Sequence, residues 1–405
     1  MKGWRPWIIV GVLWVAATLN YVDRQSIFAM FQPIREDLHL SDWQLGLLST
    51  AFLWTYGIFG PLGGWLADRF SRSRVILISL CIWSVITAAT GAARSFGELF
   101  AARALMGLSE AFYLPAALAL IADYHNQATR SLATGIHQSG LYIGIFIGGA
   151  GAGWLGDHQG WRFTFYLLGA AGVVYAIFAA FLLRDAPRET TAGLAANYGG
   201  LVAIRGLIGS KQFLLIAAVF AVASMSYWMV YTWLPLYLLE RFEMTLTSAG
   251  FSATVYIQAA SFAAIVVGGW LSDRWSLRRP GARALVQAAG FATAGPFLFL
   301  TGSTDSMPLL VVALIAFGLG RGLYDCNVMP VLCDVIDPHL RATAYGILNL
   351  LGCVAGGVMA AAAGYLKSSV GLDAALQISG VLLLGCAILL MRLRPVEAAR
   401  YACSQ

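Results

Sequence analysis

The sequence predicts an all-α integral membrane protein, with twelve transmembrane helices in two six-helix bundles related by pseudo-two-fold symmetry. Of its 405 residues, 59% are hydrophobic and 11% are charged, so most of the chain cannot face water. The chain also repeats itself, because GGWLADR at 63–69 returns as GGWLSDR at 268–274. Parallel copies of a helical half are typical of membrane transporters.

Apolar runs account for the twelve helices, since a bilayer needs about 20 apolar residues per span. The runs are 7–32, 43–67, 75–93, 99–123, 131–156, 162–183, 212–239, 247–271, 284–302, 308–333, 342–366 and 374–391. Residues 185–211 contain no comparable run and carry Pro187 and Gly193, which favours a connecting segment. The sequence therefore divides into an N-terminal bundle at 1–184, a cytoplasmic linker at 185–211 and a C-terminal bundle at 212–405.

Basic residues are distributed unequally between the two sides of the predicted membrane. Most of the 26 Lys and Arg fall on the side of the N-terminus, and the opposite loops hold only Arg35, Arg94, Arg162, Arg241 and Lys367. Cytoplasmic loops retain basic residues, so we expect both termini in the cytoplasm and a multi-pass protein of the inner membrane. Basic loops beside an anionic leaflet also explain the net charge of +6 without nucleic acid.

No pattern in the sequence indicates an enzyme. A Walker loop, a nucleophile elbow and metal-ligand spacing are all missing, so we expect no ATP, no metal and no cofactor beyond a proton as coupling ion. The cysteines fall mainly in spans and are interpreted as small apolar side chains. Duplicated halves and balanced charges favour a carrier over a channel. Such a carrier needs only the lipid bilayer, and we expect a monomer.

Charged residues inside the spans are the main functional signal. They are Asp23, Arg24, Arg103, Glu110, Arg321 and Asp325. An ionisable group in hydrocarbon costs several kcal/mol unless it is paired or hydrated, so each is a functional candidate. At about 1.5 Å of rise per residue, Asp23 and Glu110 lie roughly 15 and 18 Å from the ends of their spans, near mid-membrane.

Helical spacing allows several of these charges to pair. Arg103 and Glu110 are two turns apart on one face, and Arg321 and Asp325 are one turn apart and can pair directly. Two interpretations stay open. The charges are either fixed ion pairs that neutralise each other, or a site for substrate and proton.

The repeated loop, with Arg72 and Arg74 after it, resembles the loop signature of the major facilitator superfamily. The resemblance covers essentially the whole chain and implies that superfamily's fold. Ser71 stands where the family usually has glycine, whereas the basic cluster is kept. The resemblance implies a charge relay at helix ends that changes between conformational states. The implied gating residues are Asp68, Arg69, Arg72, Asp273 and Arg274.

LNYVDR at 19–24 and RALMGLSEA at 103–111, with Pro115, more closely resemble the anion:cation symporter family. That family includes sialin and bacterial carriers for galactonate, glucarate, hexuronates and phthalate. Spinster-like proteins, which carry lysolipids, share similar elements and stay open as an alternative.

The resemblance to the symporters implies roles for four charged residues. Asp23 and Glu110 match acids implicated in proton coupling. Arg24 and Arg103 match arginines associated with the substrate carboxylate or with tuning the glutamate. The resemblance implies no role for the pair of Arg321 and Asp325, which we expect to mark a distinct substrate.

Further polar and aromatic residues complete the predicted pocket. The substrate-binding residues predicted beside Arg24 and Arg103 are Tyr21, Gln138, Tyr231, Arg321, Asp325, Asn327 and Asn349. An amide in hydrocarbon needs a partner, whereas an aromatic ring also serves packing or interface anchoring. His137 is either a proton stop or a polar residue bonded inside its bundle. Glycines after it in span five predict a close helix interface.

The leading hypothesis is a proton-coupled symporter that carries a small organic anion, such as a sugar acid, by alternating access. A carboxylate deprived of water takes up a proton when a bound anion draws its arginine away, which couples the two ions. The alternative is a proton-driven exporter of an amphiphile, a lysolipid or a drug, with a lateral path along aromatic-rich span seven. A sensor that binds ligand without flux is a third possibility. Substrate, stoichiometry and direction do not follow from the sequence.

Overall fold

The computed structural model describes residues 4–125, 129–186, 200–279, 281–336 and 340–393, and these residues are almost entirely helical. The helices are α1 (Arg5–Ala29), α2 (Phe31–Leu38), α3 (Asp42–Arg69), α4 (Arg72–Ala92), α5 (Phe96–Glu110), α6 (Tyr113–Tyr124), α7 (Arg130–Phe146), α8 (Ala152–Gln159), α9 (Trp161–Leu182), α10 (Gly200–Gly209), α11 (Lys211–Arg241), α12 (Leu246–Ser276), α13 (Ala282–Thr301), α14 (Met307–Asp325), α15 (Val328–Val335), α16 (Arg341–Lys367) and α17 (Gly371–Met391). A π-helical turn at Ile147–Gly151 joins α7 to α8. No strand occurs in the described ranges.

Twelve segments in these ranges are long and apolar enough to cross a membrane, as the sequence predicts. The predicted first span, 7–32, is shorter in the structure because α1 ends at Ala29 and the chain turns at Met30. Helix α2 follows as a short segment that buries Phe31 and Ile34 and carries the charged residues of the loop. The predicted eighth span, 247–271, continues to Ser276.

Spans four and ten are each built from two helices. Helix α5 ends at Glu110 and α6 begins at Tyr113, whereas α14 ends at Asp325 and α15 begins at Val328. Irregular backbone at membrane depth occurs where it is buried in protein or lines a cavity. In each of these spans, an acidic residue therefore occupies the last position before the interruption.

Glycines of span five pack in two directions. A Cβ on Gly144 would lie 2.5 Å from the carbonyl oxygen of Thr18, so α7 and α1 approach almost backbone to backbone. A Cβ on Gly153 would lie 2.5 Å from the carbonyl oxygen of Leu246, at the start of α12. The glycine pattern thus serves packing inside the first half as well as contact with the second half.

The chain divides into two compact units. Unit 1 comprises Met1–Thr191, Trp228–Val255 and Gly356–Leu372, and unit 2 comprises Ala192–Tyr227, Tyr256–Ala355 and Asp373–Gln405. Unit 1 thus contains the first sequence half together with segments of α11, α12 and α16. The predicted boundaries at 184 and 211 stay predictions, and linker residues 187–199 lie outside the described residues. Below, the side of unit 1 on which α1 begins is the near face, and the other side is the far face.

Candidate functional site

A buried ion pair in unit 1 joins two of the predicted charged residues. The Nε atom of Arg24 on α1 donates to Oε2 of Glu110 at 2.6 Å. Arg24 is 8% exposed, and Glu110 is fully buried at the last position of α5. The C-terminal end of a helix carries partial negative charge and disfavours a carboxylate, so the guanidinium of Arg24 stabilises Glu110 at this position.

Aromatic rings surround the guanidinium of Arg24. Its Cζ lies 4.8 Å from the ring centre of Tyr21, 4.9 Å from that of Phe52 and 4.4 Å from that of Tyr56. The Cζ of Arg103 lies 4.7 Å from the same Phe52 ring. One phenyl ring of α3 therefore contacts both buried arginines. Cation–π contacts of this kind contribute more when they are desolvated, as they are here.

Arg103 is buried with two of its three guanidinium nitrogens lacking a hydrogen-bond partner in the described residues. It is 1% exposed, and its Nη1 approaches the sulfur of Met106 at 3.1 Å. Its Nε and Nη2 atoms have no hydrogen-bond partner there, and the same holds for Oε1 of Glu110. Nε and Nη2 form one edge of the guanidinium, which matches the two oxygens of a carboxylate. Arg103 and Glu110 thus present unused donors and an unused acceptor in one buried cluster.

Asp23 lies near Arg103 and Glu110 and forms no ion pair with a described residue. It is 2% exposed, with Thr87 and Trp83 of α4 as its polar neighbours. Arg24 therefore pairs with the glutamate of span four rather than with the aspartate next to it in the chain. We call Asp23, Arg24, Phe52, Arg103 and Glu110 the Arg24 cluster.

Three other predicted pocket residues also lie in unit 1. Tyr21 contacts Arg24, as described above, and Tyr231 is close enough to Tyr21 to act on it electrostatically. Gln138 on α7 is partly buried, and its Oε1 has no hydrogen-bond partner in the described residues. Tyr21 thus borders the Arg24 cluster, whereas Gln138 forms no hydrogen bond with a member of that cluster in the described residues.

His137 is fully buried next to Tyr113. The tyrosine hydroxyl donates to the carbonyl oxygen of Leu13 at 2.7 Å and lies 3.0 Å from Nε2 of His137. Since the hydroxyl proton is used, Nε2 carries the histidine proton and donates. Its Nδ1 has no partner in the described residues. This geometry fits a histidine bonded inside the first bundle.

The two remaining charged residues of the spans lie in unit 2. Nε of Arg321 donates to Oδ2 of Asp325 at 3.1 Å, which confirms that this pair can form along one helix. The Cζ of Arg321 also lies 5.0 Å from the ring centre of Tyr227. The pair is partly exposed, unlike the Arg24 cluster. Its part in substrate binding stays a prediction.

The two predicted asparagines of unit 2 have different surroundings. Asn327 is 1% exposed and donates from Nδ2 to Oγ of Ser272 at 2.8 Å and to the carbonyl oxygen of Leu323 at 3.2 Å. These bonds tie the interruption of span ten to α12. Asn349 is partly buried on α16. Neither residue belongs to the unit that holds the Arg24 cluster.

The predicted gating residues of the first repeat lie at the near face. Arg72 forms an ion pair with Asp123 and donates to the carbonyl oxygen of Ala119 at 3.0 Å. The guanidinium of Arg69 lies 5.6 Å from the ring centre of Trp65. The side chain of Asp68 lies outside the described residues.

The second repeat has corresponding contacts in unit 2. Arg283 binds Asp334 at 3.0 Å and Asp273 at 3.2 Å, and Arg274 lies 5.7 Å from the ring centre of Trp270. Arg283 and Asp334 follow Arg72 and Asp123, respectively, by 211 positions, the offset that also relates RSLATGI at 130–136 to RATAYGI at 341–347. The repeat therefore preserves an ion pair as well as a sequence.

Several residues of the site were not predicted. Phe52 and Tyr56 have no charge and no distinctive spacing, so nothing in the sequence separates them from packing residues. Asp123 and Asp334 carried a usable signal, namely their equal offset in the repeat. A cavity of ≈ 440 Å³ lies elsewhere, along apolar side chains of α4 and α5 that include Ile78 and Leu105, and no member of the Arg24 cluster lines it.

The chain is similar to known proteins along most of its length. The sequence model described as Major Facilitator Superfamily matches residues 13–360. The probable galactarate/D-glucarate transporter GudP of Bacillus subtilis (strain 168) is 28% identical over 400 residues, which cover 90% of this chain and 86% of that protein. The D-galactonate transporter of Escherichia coli O6:H1 is 25% identical and covers 95% of this chain and 94% of its own.

Spinster proteins are also similar. Protein spinster of Drosophila melanogaster is 28% identical over 361 residues, which cover 84% of this chain and 58% of that protein. The crystal structure of a bacterial homologue of the human lysosomal transporter Spinster, inward-facing and occupied, superposes with a TM-score of 0.84. It is 22% identical and covers 98% of this chain and 100% of its own, a likeness that concerns the fold.

Proposed function

The chain belongs to the major facilitator superfamily and is a multi-pass membrane transporter rather than an enzyme, and on that premise we propose that it carries a small organic anion together with a proton. We propose a sugar acid as the substrate class. The names of similar proteins support this class, since they include transporters for galactarate, glucarate, galactonate and hexuronate. Transport would proceed by alternating access, with one half rocking against the other.

The observation that carries the proposal is the buried pair of Arg24 and Glu110. A substrate carboxylate competes with Glu110 for the donors of Arg24, because a guanidinium binds either carboxylate equally well. Glu110 then loses its cation at a fully buried position. A proton neutralises it, so that anion binding and proton binding support each other.

Arg103 and Asp23 complete this mechanism. The unused Nε and Nη2 edge of Arg103 offers a second position for the anion or for the released Glu110. Asp23, with no arginine partner of its own, is proposed as a second proton-coupling group. Loss of either proton or anion leaves an uncompensated buried charge, which disfavours the change between open states.

The remaining expectations belong to the same proposal. We propose that the protein lies in the inner membrane with both termini in the cytoplasm, and that it works as a monomer with no cofactor but the coupling proton. The distribution of Lys and Arg supports this orientation.

Uptake by proteoliposomes tests the proposal. Labelled galactarate, glucarate, galactonate and a hexuronate are offered with and without a proton gradient directed into the vesicle, and a protonophore is the control. We expect the gradient to accelerate uptake of at least one of these acids. Arg24→Gln should abolish this uptake, whereas Arg94→Gln, at an exposed arginine of the far face, should not. The proposal is contradicted if the proton gradient accelerates the uptake of none of these acids.

The second candidate function is proton-driven export of an amphiphile. It is favoured by the similarity to Drosophila spinster. The same vesicles loaded with a fluorescent lysolipid separate the two functions. Lysolipid movement that needs Glu110, with no uptake of any sugar acid, would favour the exporter.

A further inference from the structure

Four charged side chains form a closed ring at the far face of unit 1. Arg35 lies 3.1 Å from Asp42 and 2.8 Å from Glu240, and Lys367 lies 3.0 Å from Asp42 and 2.8 Å from Glu240. Each base therefore contacts both acids. The side chains are between 12% and 31% exposed, so water screens them only in part. We call these four residues the charge ring.

The ring draws on both sequence halves. Arg35 on α2 and Asp42 at the start of α3 belong to the first half, whereas Glu240 near the end of α11 and Lys367 at the end of α16 belong to the second. Two of the four ion pairs thus lie within a half, and the other two cross between halves.

Uncharged contacts close the same face beneath the ring. Oγ of Ser49 lies 3.1 Å from Oγ1 of Thr232, and Oγ1 of Thr50 donates to the carbonyl oxygen of Gly357 at 2.7 Å. Both contacts join α3 to helices of the second half. A movement that opens the far face must therefore break these contacts and the two cross-half ion pairs together.

The arrangement of charges limits the number of ion pairs that must break when the far face opens. When the halves separate, Arg35 keeps Asp42 and Lys367 keeps Glu240, so each half retains one ion pair and no net charge. A partly buried charge left without a partner would be strongly unfavourable, and here none is left. Opening then costs only the two cross-half pairs.

The pKa of Arg35 indicates that the ion pairs of the charge ring are attractive at this residue. Burial lowers the pKa of Arg35, but the carboxylates of Glu240 and Asp42 more than offset that effect and hold the pKa above its ordinary value. The attraction within the ring therefore exceeds the loss of hydration at this arginine.

We propose that the charge ring is a reversible latch, in which the two cross-half ion pairs hold the far face closed and the two within-half pairs keep the open state neutral. The latch sets how often the far face opens. It does so whatever substrate the protein carries, so it rests on the alternating access proposed above but not on the substrate class.

Thiol accessibility measures this opening. Ser49 is 1% exposed in the closed contact with Thr232, and Ser49→Cys changes its size little. The rate at which a maleimide labels this cysteine in the purified protein reports the open fraction, after subtraction of the rate for the parent chain. Glu240→Gln should accelerate labelling roughly two- to fivefold, the effect expected of partly exposed ion pairs.

Two double-mutant cycles give the decisive comparison. Arg35→Gln and Glu240→Gln remove a cross-half pair, so their effects on the labelling rate should be non-additive. Arg35→Gln and Asp42→Asn remove a within-half pair that is present in both the closed and the open state. The energy of that pair therefore drops out of the opening equilibrium, and the effects of the two substitutions on the labelling rate should add.

Equal coupling in both cycles, or no acceleration by Glu240→Gln, would overturn the latch. High salt provides a second readout, because it should accelerate labelling of the protein with an intact ring. A variant with all four ring residues neutralised should not respond to salt. A salt response that persists in that variant would also contradict the proposal.

Discussion

At the scale of single residues, the main feature is an exchange of partners around one guanidinium. Arg24 holds Glu110 through Nε and lies among the rings of Tyr21, Phe52 and Tyr56. These rings hold the guanidinium in place and exclude water from it. An arginine fixed in this way loses little conformational freedom when it binds an anion, which favours selective recognition.

Replacement of Arg24 by lysine tests this geometry. Lysine keeps the charge but offers neither the planar fork nor the stacking surface. Since a hydrogen bond to a charged group is worth about 1.5–3 kcal/mol, we expect Arg24→Lys to weaken anion binding roughly ten- to a hundredfold. Ligand-dependent thermal stabilisation of the purified variant measures the effect. Wild-type affinity in the lysine variant would show that charge alone is sufficient.

The sequence predicted the charged members of this site but not their pairing. Intramembrane charges are rare enough to single out Arg24 and Glu110. Their contact depends on where the tertiary fold places α1 and α5, which no local pattern encodes. Phe52 could not be predicted at all, because a phenylalanine in an apolar span has many equivalent packing roles.

At the scale of secondary structure, the interruptions of spans four and ten place an acid at a helix end. Pro115 and Pro330 mark these sites, because a proline cannot donate to the carbonyl four residues before it, here that of Ala111 or Cys326. The predicted runs 99–123 and 308–333 rest on apolar length alone and therefore cover each pair of helices as one. Apolar length predicts that a segment crosses the membrane, but it does not predict where the helix is interrupted.

Helix contact through glycine gives a prediction for α7. Gly144→Ala places a methyl group 2.5 Å from the carbonyl oxygen of Thr18, so α1 and α7 must separate. We expect this variant to lower the midpoint of thermal unfolding. Gly135→Ala is the matched control on the same helix, because nothing lies within 4 Å of a Cβ there. The control should unfold at the wild-type temperature or above it. Equal loss in both variants would contradict the contact.

At the scale of the whole molecule, duplication explains most of what the sequence predicts. The repeat predicts the number of spans and the similarity of the two halves. The ion pairs formed by Arg72 and by Arg283 show that the repeat extends to side-chain contacts. The charge ring shows what duplication leaves out. Arg35 and Glu240 are separated by the same 205 positions as the repeated loop but carry opposite charges, whereas Asp42 and Lys367 are not equivalent in the repeat, so symmetry could not predict that the four residues meet.

Membrane orientation is a prediction at this scale. Because basic residues gather on the side of the N-terminus, a green fluorescent protein fused to the C-terminus should fluoresce, and alkaline phosphatase fused there should be inactive. The same two reporters fused after Thr304, in the loop that follows α13, should give the reverse result. Phosphatase activity at the C-terminus would contradict the orientation.

Proton binding by the purified protein tests the central claim, that an anion displaces Glu110 from Arg24 and a proton replaces it. A pH indicator in weakly buffered detergent solution records protons taken up when a transported sugar acid is added. We predict proton uptake by the wild-type protein and reduced uptake by Glu110→Gln, which should still bind the acid and which keeps Asp23 as its remaining coupling group. Uptake by Glu110→Gln equal to that of the wild-type protein would contradict the account.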